Sequence, residues 1–242
     1  MHPNMNPDLA DDKLVRGVHQ KAEKAAALLR HVADAFSPAT LANSLGAEDM
    51  VLTDLVMREK LPIDIFSLDT GRLPGETYDL MAAVQKRYDL KLKLFYPRHE
   101  NVERFTREHG INGFYEAVEL RKACCHARKV EPLGRALAGK KAWITGMRAE
   151  QSATRSGLAE QEYDQANGLE KFNPLADWRE KEVWAYIRLF DVPYNKLHDK
   201  FYPSIGCAPC TRPVAIGEDV RAGRWWWEDP DNKECGLHVS RA

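Results

Sequence analysis

The chain has 242 residues, with 35 lysine and arginine against 36 aspartate and glutamate, a formal net charge of −1 and 44% hydrophobic residues. This composition predicts one soluble globular domain over residues 1–242 and excludes a disordered or membrane-embedded chain. The near-zero charge argues against nucleic acid or a membrane as a partner, because both usually require a basic excess. The sequence shows neither a signal peptide nor a long apolar run, so we expect a cytoplasmic protein.

Hydrophobic periodicity predicts an N-terminal helix followed by alternating strands and helices. Apolar residues recur at helical spacing over residues 12–36. Strand-like runs then occur at residues 40–45, 63–68, 90–96 and 141–145, with helical patterns at 50–58 and 78–88 between them. This alternation predicts an α/β fold with a mostly parallel sheet flanked by helices. Ligands of such sheets bind at the carboxyl ends of the strands, so the turns there are candidate functional sites.

Three of these turns combine glycine or hydroxyl groups with charges: SLGAED at 44–49, SLDTGR at 67–72 and TGMR at 145–148. SLGAED has one glycine and two acids, so we expect it to hydrogen-bond a nucleoside rather than to grip a triphosphate. The polar residues 151–168 predict a surface loop, and a second helical apolar pattern follows from Trp178 to Phe190. Beyond it we expect a mobile C-terminal tail over about residues 228–242.

Four of the five cysteines form two close pairs, Cys124-Cys125 and the C-x-x-C pair Cys207 and Cys210. In a cytosolic chain such thiols favour metal or redox chemistry over disulfides. Four thiolates suit either a [4Fe–4S] cluster or a Cys₄ zinc site. Successive helical residues diverge by about 100°, so the adjacent pair reaches one centre only with strain. The alternative is that Cys124 and Cys125 are buried small hydrophobes.

The fifth cysteine, Cys235, lies near the C-terminus between Lys233 and His238. Nearby cations would stabilise its thiolate and make it a nucleophile, whereas the alternative is an inert thiol in a frayed tail. Basic residues also flank both cysteine pairs. A solvated surface is the usual explanation of such clusters, but a small polyanionic substrate would need cations beside a reactive centre.

Taken together, the motifs resemble those of the assimilatory sulfonucleotide reductases, and specifically of the adenylylsulfate (APS) reductases that carry an iron–sulfur cluster. The resemblance runs from about Thr40 to His238. It is carried by SLGAEDMVLTDL, SLDTGRLPGETY, KACCHARKVEPL, ITGMRAEQSATR, YPSIGCAPCTRP and KECGLH. All six motifs in this order are highly specific, although any one of them alone is not.

The resemblance implies an adenine-nucleotide α-hydrolase-like fold related to the ATP pyrophosphatases. It implies a [4Fe–4S] cluster and a nucleophilic Cys235. The expected cluster ligands are Cys124, Cys125, Cys207 and Cys210. The expected catalytic cations are Lys129, Arg221, Arg224 and His238. The expected adenosine contacts come from the strand-end turns, at Ser44, Gly46, Leu68, Thr70, Gly146 and Arg148.

The activity that the resemblance implies is thioredoxin-dependent reduction of APS to sulfite and AMP through a cysteine S-sulfonate. The resemblance implies that this activity belongs to assimilatory sulfate reduction and cysteine biosynthesis. The chain has no fused thioredoxin-like domain, so we expect the reductant, thioredoxin or a glutaredoxin-like protein, to be a separate partner. The oligomeric state is left open, a homo-oligomer included.

Three other functions compete with this one. A reductase of the 3′-phosphorylated substrate (PAPS), or one of dual specificity, is the nearest, but PAPS-specific members lack the two cysteine pairs. An ATP-using thiolase or adenylyltransferase of the related fold would need the Gly-rich loop that SLGAED lacks. A non-enzymatic zinc or cluster-binding regulator would use the four cysteines structurally, and no DNA-reading motif supports it.

Overall fold

The computed structural model describes residues 5, 7–151 and 157–229. A six-stranded sheet forms its centre, in the order β3-β2-β1-β4-β6-β5. The strands are β1 (Ala39–Ala42), β2 (Asp64–Leu68), β3 (Lys93–Phe95), β4 (Ala142–Ile144), β5 (Gln161–Asp164) and β6 (Leu169–Phe172). The helices are α1 (Asp12–Ala35), α2 (Ala47–Arg58), α3 (Gly75–Tyr88), α4 (His99–His109), α5 (Val118–Cys125), α6 (Glu131–Leu137) and α7 (Glu180–Leu189).

Every strand pairing except that of β5 with β6 is parallel. The predicted mostly parallel sheet flanked by helices is therefore confirmed. The prediction of a loop over residues 151–168 is wrong at its end, because β5 begins at Gln161 and forms an antiparallel edge with β6. The four residues of β5 are polar and alternate between exposed and half-buried positions, so their sequence gives only a weak signal for an edge strand.

Both faces of the sheet are buried, as the alternation of side chains along each strand shows. Ile65 and Ile144 face the larger core, which α1, α2, α3 and α7 complete. Phe66 and Trp143, their neighbours in sequence, face a smaller core together with Leu133 of α6. The predicted N-terminal helix forms as α1, and the Asp11 carboxylate caps its first turn by accepting from two backbone N–H groups.

The helix that carries the adjacent cysteines contains a wide turn. Helix α5 ends at Cys125, a π-helical turn spans His126–Val130, and α6 continues from Glu131 without leaving the right-handed helical region. Such insertions change the direction in which side chains leave a helix and are frequent at functional sites. The wide turn therefore begins where two successive side chains have to reach the same place.

Short turns complete the described chain after α7. One 3₁₀ turn spans Lys196–Lys200 and another, Ala208–Cys210, carries the second cysteine pair. Residues 211 and 224 form an antiparallel bridge that folds the chain back over this pair. Among the described helices, none combines the length and apolar character needed to cross a membrane.

Candidate active site

A cavity of about 230 Å³ opens where β1, β2 and β4 end. Phe66, Leu68 and Trp143 form an apolar part of its wall, and hydroxyl and amide groups of the turns form a polar part. The strands are parallel and in register, so their carboxyl ends meet at this edge. The cavity therefore lies at the edge of the sheet where the sequence predicts ligand contacts.

The first turn is held by its own side chains. The Asp49 carboxylate accepts hydrogen bonds from the Ser44 backbone N–H at 2.7 Å and from the Ser44 hydroxyl at 2.6 Å. Asn43 accepts from the Leu45 N–H at 2.6 Å, while Leu45 adopts a left-handed φ of 65°. Burial is the main cause that raises the pKa of Asp49 to about 6, and the hydrogen bonds from Ser44 oppose it.

Glu48 pairs with Arg148 across the site. The Arg148 Nε and Nη2 atoms each lie 2.8 Å from Glu48 Oε1, and Arg148 is 4% exposed. A Cβ atom at Gly146 would clash with the Asp49 carboxylate and lie 2.9 Å from the Glu48 Cβ. Asp49 is thus held by hydrogen bonds within the first turn, and Glu48 is paired with Arg148 of the turn that follows β4.

The six expected adenosine contacts separate into two groups. Ser44, Leu68, Thr70 and Gly146 line the cavity. Gly46 instead caps the N-terminus of α2, and Arg148 is held by Glu48 and by Glu150 at 2.9 Å. Neither Gly46 nor Arg148 is among the residues that line the cavity.

A second, smaller cavity of about 20 Å³ adjoins the first, and all four paired cysteines line it: Cys124, Cys125, Cys207 and Cys210. Their thiols are free of disulfides. Within the part of the chain that the structure describes, no three acidic, histidine or cysteine side chains converge on one point as ligands of a single ion do. The four thiols surround a small volume, and this arrangement could hold a cofactor with several metal ions.

The turn after β2 connects the two cavities. Thr70 lines the first cavity, and its Oγ1 lies 3.2 Å from the Cys207 Sγ. Arg128, in the wide turn, donates to the Thr70 carbonyl at 2.7 Å. The Arg72 carbonyl accepts from the Ala208 N–H at 2.8 Å. These contacts fasten both cysteine-bearing segments to a strand end of the sheet.

The four thiols lie in different electrostatic environments. Burial acts to raise the pKa of Cys207, but Lys129 and the Thr70 hydroxyl outweigh it, and the pKa falls below that of an ordinary thiol. Burial and the neighbouring Cys207 raise the pKa of Cys210 to about 12. Burial also raises the pKa of Cys124, against Arg128. Coordination to a metal ion would keep the thiols of Cys124 and Cys210 deprotonated against these raised pKa values.

Lys129 lines both cavities. Arg224 packs beside the turn that precedes Cys207: it donates to the Ile205 carbonyl at 3.2 Å, and a Cβ at Gly206 would come within 2.5 Å of its guanidinium. Arg221 is half-buried in the next turn, where its N–H donates to Asp219 at 2.7 Å. Neither arginine is among the residues that line the two cavities.

The expected nucleophile Cys235 and the expected cation His238 lie outside the described residues. The described chain ends at Asp229, immediately after Glu228, whose side chain is 3% exposed and pairs with Arg121. The expected mobile tail thus begins at a residue whose side chain is buried, and its residues after Asp229 lie outside the described range.

Sequence reasoning missed several residues that line or build the first cavity. Thr145 and Gln151 line it, and Gln151 also donates to Glu48 at 3.1 Å. Trp143 supplies apolar wall from β4. Asn43 and Asp49 form the turn itself. Asn43 and Thr145 lie within the predicted strands 40–45 and 141–145, and in the structure they directly follow β1 and β4 because these strands end earlier than predicted.

Comparison with known proteins supports one family. Residues 38–213 match the phosphoadenosine phosphosulfate reductase domain. The adenosine 5′-phosphosulfate reductase of Allochromatium vinosum is 54% identical over 98% of this chain and 91% of the relative. The enzyme of the same name from Burkholderia cepacia is 55% identical over 91% of this chain and 88% of the relative.

Solved structures share the fold of this chain. The phosphoadenylyl-sulfate reductase of Candida auris superposes with a TM-score of 0.68, at 29% identity, over 81% of this chain and 96% of the other. Yeast FAD synthetase superposes with a TM-score of 0.61 at 14% identity, over 87% of this chain and 71% of the other, and shares the fold alone. The predicted adenine-nucleotide α-hydrolase-like fold is confirmed.

Gly146→Ala should destabilise the protein, because the new methyl group meets Asp49 and Glu48 in a packed turn. We expect a loss of about 1–3 kcal/mol in the free energy of unfolding, as is usual for overpacking. Chemical denaturation measures it. Gly17→Ala in α1, where nothing lies within 4 Å of the added atom, is the matched control and should not destabilise. Equal stability of both variants would contradict the packing described here.

Asp49 should give the wild type a pH-dependent stability that Asp49→Asn lacks. The folded-state pKa of about 6 lies above the ordinary value of 3.8 for an aspartate, so the contribution of Asp49 to stability is fully present below about pH 4 and is lost as pH rises through 6. Between pH 5 and pH 7 the wild type should lose about 1 kcal/mol relative to the variant. Denaturation curves of both proteins across this range test it, and parallel pH profiles would refute the raised pKa.

Proposed function

This chain belongs to the phosphoadenosine phosphosulfate reductase family, and from that premise we propose that it reduces adenosine 5′-phosphosulfate (APS) to sulfite and AMP. The observation that carries the proposal is the position of Lys129, which lines both the strand-end cavity and the four-cysteine cavity. A cation in that place faces a nucleotide on one side and thiolates on the other. We infer that this is an enzyme of sulfate assimilation and cysteine biosynthesis.

The strand-end cavity suits the adenosine monophosphate part of the substrate. Phe66, Leu68 and Trp143 offer apolar surface for a base, while Ser44 and Thr70 offer hydroxyl groups for hydrogen bonds. The turn at 44–49 lacks the repeated glycines of a triphosphate-binding loop, and its acids are already hydrogen-bonded or paired. This favours a nucleotide without a triphosphate over the ATP of the related adenylyltransferases.

The four-cysteine cavity fits a [4Fe–4S] cluster. Each iron of such a cluster takes one cysteine, so its ligands enclose a volume, as Cys124, Cys125, Cys207 and Cys210 do here. Arg72 and Arg128 line the same cavity with Lys129 and offset the charge of the thiolates, whereas the charge of Arg121, which also lines it, is paired with Glu228. When bound, the cluster would supply a fixed charge distribution beside the substrate and would clamp the two cysteine segments together.

The chemical steps that we propose use Cys235. Its thiolate attacks the sulfur of the phosphosulfate, forming a sulfur–sulfur bond and breaking the bond to the bridging oxygen, which leaves with its electron pair as AMP. A dithiol of a thioredoxin or glutaredoxin-like protein then attacks the Cys235 sulfur and releases sulfite. The second thiol resolves the mixed disulfide, so the partner is oxidised by two electrons and Cys235 returns as a thiol.

Cations should dominate the stabilisation of this transition state, because negative charge builds up on the leaving phosphate while the sulfonate keeps its own. We assign that role to Lys129, Arg221, Arg224 and His238. Lys129 is already in the wall of the nucleotide cavity. Arg224 packs against Gly206, which lines that cavity.

The substrate assignment is tested by comparing kcat/KM for APS and PAPS, with sulfite release measured in the presence of reduced thioredoxin. We expect a preference for APS of at least about tenfold, a difference of 1.4 kcal/mol. A preference for PAPS would overturn the assignment, and similar values would make the enzyme one of dual specificity. Absence of turnover with either nucleotide would refute the proposed reaction.

Lys129→Ala should depress turnover far more than it affects the cluster. We expect kcat to fall by about 10²–10³-fold, as when one preorganised transition-state donor is removed, while iron content and melting temperature stay near the wild-type values. Lys122→Ala is the matched control, because Lys122 is an exposed lysine of α5 beside the same cysteines. Near-normal activity of Lys129→Ala, or loss of iron in step with activity, would contradict the role of Lys129.

A further inference from the structure

A buried ion pair fastens the last described segment to the cysteine helix. The Arg121 Nε donates to Glu228 Oε1 at 2.9 Å, and its Nη2 donates to Oε2 at 2.8 Å. The side chains are 0% and 3% exposed. This is a bidentate pair in which both planar groups are fixed in one relative orientation.

Arg121 makes two further contacts that tie the pair to the cysteine cavity. Its guanidinium lies 4.5 Å from the centre of the Trp225 ring. It also interacts with the thiol of Cys125, one helical turn further along α5, and lines the cavity of the four cysteines. The backbone N–H of Trp225 donates to the Cys210 carbonyl at 3.2 Å. The segment that ends in Glu228 therefore contacts Cys210 directly and is linked to Cys125 through Arg121.

Glu228 precedes Cys235 by seven residues. Seven residues span at most about 25 Å when fully extended. The chain from Glu228 to Cys235 is therefore a short tether, and the position of Glu228 limits where the Cys235 thiol can reach. A nucleophile on a short tether has a high effective concentration only if the tether starts near the reacting atoms. The starting point here is a residue locked beside the cysteine cavity.

Net stability is a weak explanation for such a pair. Replacing a buried ion pair by apolar side chains of similar volume is often neutral or stabilising, because desolvation of the charges offsets their attraction. A bidentate pair fixes the relative orientation of its two side chains, which apolar side chains do not. That property matters if the chain after Glu228 has to leave in a particular direction.

We propose that Arg121 and Glu228 are positioning residues that anchor the root of the C-terminal segment and so direct Cys235 to the substrate. The inference rests on the proposed function, in which Cys235 is the nucleophile. The pair touches neither the nucleotide cavity nor the reacting atoms. Its effect should therefore appear in the step that forms the S-sulfonate, and not in the binding of the nucleotide.

The test uses the double variant Arg121→Met/Glu228→Leu, which leaves no unpaired buried charge. We expect iron content and melting temperature near the wild-type values. The Kd for AMP and the KM for APS should each stay within about twofold of the wild-type value. The single-turnover rate of ³⁵S-sulfonate formation at Cys235 should fall by about tenfold or more, as a small misplacement of a reacting group does. Arg121→Lys keeps the positive charge but not the planar guanidinium that makes two parallel hydrogen bonds. It should therefore show most of the same loss in the rate of S-sulfonate formation.

A readout that needs no substrate is limited trypsin cleavage after Lys233, followed by mass spectrometry. Cleavage should be faster in the double variant, because the root of the segment is released. Glu182→Gln is the matched control: Glu182 is another buried carboxylate, 2.8 Å from both Arg179 and Lys21, between α1 and α7. It should leave the cleavage and the rate of labelling per folded molecule unchanged.

An unchanged labelling rate together with unchanged cleavage in the double variant would overturn the positioning role. If that variant does not fold, Glu228→Gln, which keeps the volume of the side chain, carries the same expectations. A wild type that forms no labelled Cys235 would refute the proposed function instead. In that case unchanged cleavage in the variant would also refute the anchoring role of the Arg121–Glu228 pair. Faster cleavage would support that anchoring role without the proposed reaction.

Discussion

The wide helical turn at residues 126–130 is the constraint on which both cavities depend. A regular helix would direct two successive cysteines about 100° apart and would continue with the same spacing. The wide turn breaks that spacing directly after Cys125. It lets Arg128 reach the carbonyl of Thr70 at a strand end and leaves Lys129 in the wall shared by the two cavities. The contact between Arg128 and Thr70 thereby fastens the wide turn, and the cysteine helix with it, to the carboxyl end of β2.

Charge is arranged around this junction in two different ways. The acids of the first strand-end turn are neutralised locally, Asp49 by hydrogen bonds and Glu48 by Arg148. The cations near the cysteines line the same cavity as the thiols, Arg121 buried and Arg72, Arg128 and Lys129 half-buried, so they are less screened than surface charges. The result is a strand-end cavity in which positive charge lies on the side of the cysteines. In the proposed reaction, this charge would draw an anionic anhydride toward that side of the cavity.

Much of this architecture follows from local pattern in the sequence. Buried strands, their polar turns and the two cysteine pairs are all signals of neighbouring residues, and the parallel sheet brings them together. The pairs Arg121–Glu228 and Glu48–Arg148 join residues about a hundred positions apart, so nothing in the local sequence indicates them. The edge strand β5 was missed for another reason: its four polar residues become a strand only because β6 is beside them.

The central claim is that Cys235 attacks a nucleotide bound beside a cysteine-held cluster. The most direct measurement is anaerobic purification of the wild type and Cys235→Ser, with iron, sulfide and zinc quantified, followed by incubation with ³⁵S-labelled APS and denaturing electrophoresis. We predict stoichiometric iron and sulfide in both proteins, with label retained only by the wild type and removed by reduced thioredoxin. Zinc without iron, or label on Cys235→Ser, would contradict the account.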